Sequence, residues 1–271
     1  MRNQPRMTLG TTPCPNDSYL LGAVATGQIR LQGVDLAIER CDIETLNARV
    51  VARDIDVAKI SCAVWHEVAD DYELLDCGAA LADGYGPLVL ASRALDARGL
   101  ARARVVLPGE HTTGALLFRH WAPAWGTLAY RTYDRIVPAL LAGEYDVGVC
   151  IHESRFTYAE AGLVSLGDLG AWWQAARGLP VPLGCYVIRR PLYDRYAEPL
   201  EHLMRCALRL AASGEPAIRA HIREHAQELD DTVIDQHIAL YVNRYTHALG
   251  ERGRRAIAAL APPAPPRAVC A

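Results

Sequence analysis

The stretch Met7-Thr-Leu-Gly-Thr-Thr-Pro-Cys-Pro-Asn-Asp-Ser18 decides the fold. Its apolar start, 7–12, predicts a strand. Residues 13–17 break it, and 18–26 predicts a helix closed by Gly27. The same strand–polar loop–helix junction recurs three times. A strand over 56–60 runs through Lys59-Ile60-Ser61 into a helix reaching 68. A strand over 103–108 runs through Gly109-Glu-His-Thr-Thr-Gly114 into a helix over 115–121. A strand over 145–151 runs through Ile151-His-Glu-Ser154 into a helical continuation. Between them lie a half-buried strand over 34–40, a helix over 42–52 with Asp42 as N-cap, and a helix over 132–143. Strands over 86–92 and 182–190 lead out of the first unit and back into it, and 193–260 reads as helical throughout. This alternation predicts an α/β protein of two lobes, each a mixed, mainly parallel sheet flanked by helices, with a helical C-terminal segment and a cleft between the lobes. The expected division is 7–92 with 187–262 in lobe 1, 100–183 in lobe 2, and a Pro-rich disordered tail over 263–271.

Composition narrows the function. The chain has 271 residues, 51% hydrophobic and 22% charged, which suffices for a packed core and sits near the size where single cores divide. Its 28 basic and 31 acidic residues leave a net charge of −3, so no nucleic-acid partner is expected. No run of 18 apolar residues appears, so no membrane partner is expected. The start, Met1-Arg-Asn-Gln-Pro-Arg, carries no apolar stretch ahead of a small-residue cleavage site, which sets the expectation of a cytoplasmic protein. None of the eight cysteines forms C-x-x-C or stands at ligand spacing from a histidine, so reduced thiols are expected.

The junctions are where chemistry would sit, because α/β sheets bind ligands beyond the carboxyl ends of their strands. Helix N-termini there offer unpaired N–H groups and a partial positive charge, although Ser, Thr, Asn and Asp are also ordinary capping residues. Gly109-x4-Gly114 imitates a phosphate loop, but Ala115 and Leu116 stand where Lys and Ser/Thr are required, which excludes an NTPase. What remains is a loop whose Thr112 and Thr113 hydroxyls and Gly114 N–H suit a smaller anion. His152, after an apolar strand and before a helix, suits a neutral general base and equally a hydrogen-bonded structural histidine. His221 and His225 stand at i and i+4 without H-E-x-x-H order or a third ligand, so no metal is expected. No G-x-G-x-x-G or G-x-S-x-G motif appears, and the Asp70-Asp71 and Asp230-Asp231 pairs read as helix-end charges.

Several motifs together resemble one family. Thr12-Pro-Cys-Pro-Asn-Asp-Ser, Asp56-Val-Ala-Lys-Ile-Ser, His111-Thr-Thr and Ile151-His-Glu-Ser-Arg-Phe-Thr-Tyr are similar to 1,4-dihydroxy-6-naphthoate synthases. So are Leu169-Gly-Ala-Trp-Trp, Gly178-Leu-Pro-Val-Pro-Leu-Gly, His225-Ala-Gln-Glu-Leu and Tyr241-Val-Asn. The resemblance runs from about Met7 to Leu260. It implies the two-lobed fold of type II periplasmic binding proteins. It also implies a lyase of the futalosine route to menaquinone, which cleaves a carbon–carbon bond of cyclic dehypoxanthinyl futalosine without metal or organic cofactor. By position it implies His152 as proton acceptor and Lys59, Ile60, Ser61, Thr112, Thr113 and Gly114 as substrate contacts, with Asn16 and Asp17 lining the cleft. The substrate would be a small-molecule carboxylate bearing a polyhydroxylated ring, and a homodimer is left open. Two other readings stand beside it: a cytosolic solute-binding protein of the same fold, and the related chorismate dehydratase. Thr11-Thr12 and Ser18 depart from the usual Ser and Thr of the first motif but keep small polar groups.

Overall fold

The computed structural model describes residues 4–151, 154–226 and 230–260. The expected base His152 and the 263–271 tail lie outside the described residues. The chain opens with β1 (Arg6–Thr11), α1 (Pro15–Ala25), β2 (Asp35–Arg40), α2 (Ile43–Val51) and β3 (Val57–Ser61). A single 3-10 turn (Cys62–Val64) leads into α3 (Trp65–Val68), followed by β4 (Tyr72–Leu74) and β5 (Ala80–Ala82). Then come β6 (Leu88–Ala91), α4 (Ala97–Leu100), β7 (Arg104–Leu107), α5 (Thr113–Trp121), β8 (Thr127–Tyr130) and α6 (Tyr133–Leu141). β9 (Val147–Cys150), α7 (Ser154–Thr157), β10 (Val164–Asp168) and α8 (Leu169–Arg177) follow. β11 (Val181–Arg189) precedes α9 (Arg190–Ala212), α10 (Pro216–His225), α11 (Asp231–Tyr241), α12 (Arg244–His247) and α13 (Gly250–Ala258).

Two sheets result. The first has the order β2-β1-β3-β11-β4, with β5 also paired to β11; the second has the order β10-β6-β9-β7-β8. Both are mixed. β1 pairs in parallel with β2 and β3, and β7 with β8 and β9, whereas every pairing of β6, β10 and β11 is antiparallel, a larger antiparallel share than the local pattern predicts. The physical reason is that β6 and β11 are the strands that carry the chain between sheets. They enter against the direction of the βα units, and nothing in a strand's own sequence records that direction. β6 belongs to the second sheet, so the chain crosses before Leu88 rather than near residue 92.

Pro15 occupies the first turn of α1, where its missing N–H costs nothing and its fixed φ suits a helix. The helix therefore starts three residues earlier than the sequence pattern suggests and carries Asn16 and Asp17 in its first turn. Asp42 caps α2 as expected, accepting from the N–H groups of Glu44 and Thr45. β4, β5, β8 and β10 emerge where no strand is expected; each has three to five residues, too few for a period of two to register.

One buried cluster runs from Leu46, Ile60 and Val187 against the first sheet through Trp173 to Val105 and Val149 of the second, so the lobes share a core. The outward crossing is pressed against α8. Leu169 N–H donates to Pro87 O at 2.9 Å. A Cβ at Gly170 would lie 2.1 Å from Tyr85 C and O, and one at Gly86 2.8 Å from Gly170 Cα. Only two glycines allow the backbones to approach this closely. No helix among the described residues is long and apolar enough to cross a membrane. Gly170→Ala is expected to destabilise the fold by about 3 kcal/mol, the upper part of the overpacking range, because the obstacle is backbone. That is a fall of about 6–12 °C in Tm. A thermal melt indistinguishable from wild type would show that the crossing yields freely.

Candidate active site in the cleft between the sheets

A cavity of about 660 Å³, its mouth included, lies where the two sheets meet. Asn16, Asp17, Lys59, Ser61, Thr112, Thr113 and Gly114, all expected at the site, line it. Ile151, the chain neighbour of His152, lines it too. Ile60 does not: the period of two in β3 turns its side chain into the shared core, fully buried, while Lys59 and Ser61 face the opposite side.

The α1 end of the cavity is a closed polar network. Lys59 Nζ donates to Asp17 Oδ1 at 2.9 Å and to Gly78 O at 3.0 Å. It sits 4.9 Å from the centre of the Tyr186 ring, its cross-strand neighbour. Thr12 Oγ1 donates to Asp17 Oδ2 at 2.6 Å, and Asn16 Nδ2 donates to Asp17 Oδ1 at 3.1 Å. Lys59 and Asp17 are 4% and 2% exposed, so each needs the other. Beneath them Tyr186 shares a 2.7 Å hydrogen bond with Thr11, and burial pushes its phenol well above the ordinary value.

The α5 end is built differently. Thr112 Oγ1 accepts from Ala115 N–H at 3.2 Å and donates to Gly109 O at 2.9 Å. Thr113 Oγ1 donates to Leu183 O at 3.0 Å and accepts from Ala63 N–H at 3.3 Å, joining α5 to the first sheet. Both hydroxyls expected to hold an anion are thus engaged within the protein. The donors this turn offers the cavity are its backbone N–H groups at Thr113 and Gly114, which a helix start leaves without intrahelical partners. A second bridge closes the same side. Glu44 of α2 accepts from His111 N–H at 3.1 Å and lies 2.7 Å from His111 Nδ1. Gly109 makes room for it, since a Cβ there would meet Glu44 Oε2 at 2.6 Å.

Three polar residues escape the sequence reading, one behind the cavity wall and two in it. Asn47 is fully buried; it accepts from Ser61 N–H at 2.8 Å and donates to Ser61 Oγ at 3.1 Å, which leaves the serine its own O–H to donate. Its only signal is a polar residue on the buried Leu46/Val50 face of α2. His237 and Tyr241 line the cavity from α11, one turn apart on the buried Ile234 face. Burial pushes the Tyr241 phenol up to about 12, although Arg155 hydrogen-bonds to it. Arg155 also donates to Gly86 O at 2.7 Å and pairs with Asp168 at 3.1 Å, tying α7 to the crossing.

Away from the cavity, His221, Glu224 and His225 bring potential ligand atoms within 4.8 Å of one another. A cation is already beside them: an Arg40 guanidinium N–H donates to His221 Nε2 at 2.8 Å. Burial and Arg40 lower the His221 pKa to about 4.

Two sheets flanked by helices, joined by crossings at the floor of a ligand-sized cleft, define a protein of the periplasmic-binding-protein-like fold. The alkanesulfonate-binding protein of Xanthomonas axonopodis pv. citri superposes with a TM-score of 0.65 at 12% identity, over 89% of this chain and 86% of that one. The family is set by sequence. A family model described as menaquinone biosynthesis matches residues 7–264. The chain is 41% identical over 261 residues to a 1,4-dihydroxy-6-naphthoate synthase of Streptomyces coelicolor, covering 94% of this chain and 91% of the relative. It is 40% identical over 254 residues to the synthase of that name from Thermus thermophilus, covering 94% and 92%. The chain belongs to the menaquinone-biosynthesis family and is an enzyme.

Removing one partner of a buried ion pair costs about 3–5 kcal/mol, whereas apolar replacement of both costs far less. Lys59→Met is therefore expected to lower unfolding stability in urea by about that amount, and Asp17→Leu/Lys59→Met to recover part of it. A double variant weaker than either single would contradict the pairing. His221 gives a pH effect of defined sign. Its folded-state pKa of about 4 lies below the ordinary 6.5, so the unfolded chain binds the proton more readily. Stability is held above pH 6.5 and lost as pH falls toward 4, by on the order of 1 kcal/mol after solvent screening of a half-buried group. His221→Gln should flatten that part of the Tm–pH curve.

Proposed function

We propose that this chain is a cytoplasmic lyase that converts cyclic dehypoxanthinyl futalosine into 1,4-dihydroxy-6-naphthoate, with His152 as general base. The observation that carries the proposal is the cavity itself. It gathers seven residues from three separate motifs of the sequence, with Ile151 of a fourth, between two helix starts of unlike chemistry. The substrate pairs a carboxylate with a hydroxyl-bearing ring, and the two ends of the cavity match those halves. The carboxylate takes the N–H groups of the α5 start, where the helix dipole favours an anion and no lysine is needed. The hydroxyl-bearing ring takes the α1 end, where Asn16, Asp17, Lys59 and Thr12 offer donors and acceptors with no net charge.

The chemistry we assign to the cleft begins with a neutral imidazole as base. His152 takes a proton from the sugar-derived part of the substrate, the electron pair so released drives cleavage of a carbon–carbon bond, and formation of the aromatic naphthalene ring supplies the driving force. Closure around the cleft keeps water from the carbanion-like intermediate. General-base catalysis of this kind contributes about 10²- to 10⁴-fold in rate. The test is to incubate the protein with cyclic dehypoxanthinyl futalosine and, separately, with chorismate, and to follow the naphthoate chromophore and enolpyruvyl products. Naphthoate formation from the first alone is expected. Turnover of chorismate would identify a dehydratase, and tight binding without turnover a solute-binding protein. His152→Gln should lose about 10²- to 10⁴-fold in kcat while keeping substrate affinity. Near wild-type turnover in that variant would remove His152 from the role.

A further inference from the structure

His237 lies in α11, far in sequence from every junction motif, yet it lines the cavity and is 1% exposed. Its Nε2 is 2.9 Å from Asn16 Oδ1, and its ring is 4.7 Å from that of Tyr241. The direction of the hydrogen bond follows from its neighbours. The Asp17 carboxylate, paired with Lys59 and bonded by Thr12, is an acceptor only. The Asn16 atom 3.1 Å from Asp17 Oδ1 is therefore the NH2 group, and the carbonyl oxygen faces His237. His237 Nε2 carries the proton and donates it.

Asp17 sets which way round the carboxamide sits, and the His237 bond holds it there. An amide rotated by 180° would present oxygen to a carboxylate that can only accept, and NH2 to a ring N–H. With His237 in place, the Asn16 side chain has one orientation and offers the cavity a fixed pattern of donor and acceptor. We propose that His237 is a positioning residue: through Asn16 it fixes the hydrogen-bonding pattern that reads the hydroxyl-bearing end of the substrate, and so sets which way the substrate lies in the cleft. The proposal rests on the functional reading above. It adds a division of labour, with the carboxylate held at α5 and the hydroxyls read at α1.

The division gives the experiment. The product, 1,4-dihydroxy-6-naphthoate, keeps the carboxylate but has lost the sugar-derived hydroxyls. Steady-state kinetics on the proposed substrate and the Kd of the naphthoate are measured for wild type, His237→Leu, His237→Gln, Asn16→Ala and the His237→Leu/Asn16→Ala double variant. His237→Leu and Asn16→Ala should each lower kcat/KM about tenfold, the effect of about one good hydrogen bond. The double variant should lose no more than either single, because one residue acts through the other. His237→Gln, whose amide N–H reaches a similar point, should recover most of the loss, and the naphthoate should keep its Kd throughout. Asn16→Ala truncates the cavity-lining amide itself and keeps the His237 ring in place, so the reading is still tested if His237→Leu folds poorly. Wild-type kcat/KM in Asn16→Ala, additive losses in the double variant, or equal weakening of the naphthoate would each overturn the proposal while leaving the function intact. Absence of turnover by the wild-type protein would overturn the functional reading and this inference with it.

Discussion

A lysine ammonium and an aspartate carboxylate, 2.9 Å apart and nearly inaccessible, form the constraint on which the site depends. Neither ion could be buried alone. Lys59 stands in β3, in the middle of the first sheet, where all five residues are buried. Its charge is tolerable there because α1 begins at Pro15 and delivers Asp17 directly above it. Gly78 O takes a second ammonium proton, and the face of Tyr186 lies beneath. Shift the start of α1 by one turn and the pair is lost. The Pro-Cys-Pro-Asn-Asp run is thus read in the structure as a placement device for one carboxylate.

The pair also determines what the cavity can recognise. A free lysine at this depth would make the α1 end an anion site. Neutralised, that end presents only dipoles, and the asymmetry between the two helix starts follows. α1 carries an acidic residue in its first turn, and α5 carries none. The two ends are held in register by contacts that belong to the junction loops themselves. Thr113 reaches Leu183 and Ala63, and Glu44 clasps the backbone and ring of His111. Thr113 and Leu183 thus both line the ligand space and join the lobes.

Local pattern carried much of this. The strand–loop–helix junctions are contiguous, so their apolar runs and capping residues could be read directly, and seven of the eight described residues expected at the site meet at one cavity. The side chain of Ile60 turns away from the cavity, because proximity in a motif says nothing about which face of a strand a residue takes. The antiparallel entry of β11 beside β3 pairs Cys185 with Ile60 and Tyr186 with Lys59, contacts across more than a hundred residues that no periodicity encodes. Asn47 and His237 were invisible for a related reason. Each is one polar residue on an otherwise apolar helix face, and its purpose exists only in the partner it meets, Ser61 in one case and Asn16 in the other. The threonines illustrate the converse error: their presence at a helix start was legible, but their hydroxyls are consumed by Gly109 O and Leu183 O.

That consumption sharpens the electrostatics of the α5 end. A helix start supplies about half an elementary charge through its N–H groups. This is enough to hold a monoanionic carboxylate in a low-dielectric cleft. It is too little for the terminal phosphates of a nucleotide, which is why phosphate loops add a lysine. Gly109-x4-Gly114 keeps the geometry of such a loop and omits the cation. The one lysine lining the cavity is on the other side, already matched by Asp17. On the proposed function, selection between anions comes from withholding charge. A doubly charged ligand would leave part of its charge uncompensated there, whereas the proposed substrate, a carboxylate on a neutral, hydroxyl-bearing body, would be matched at both ends.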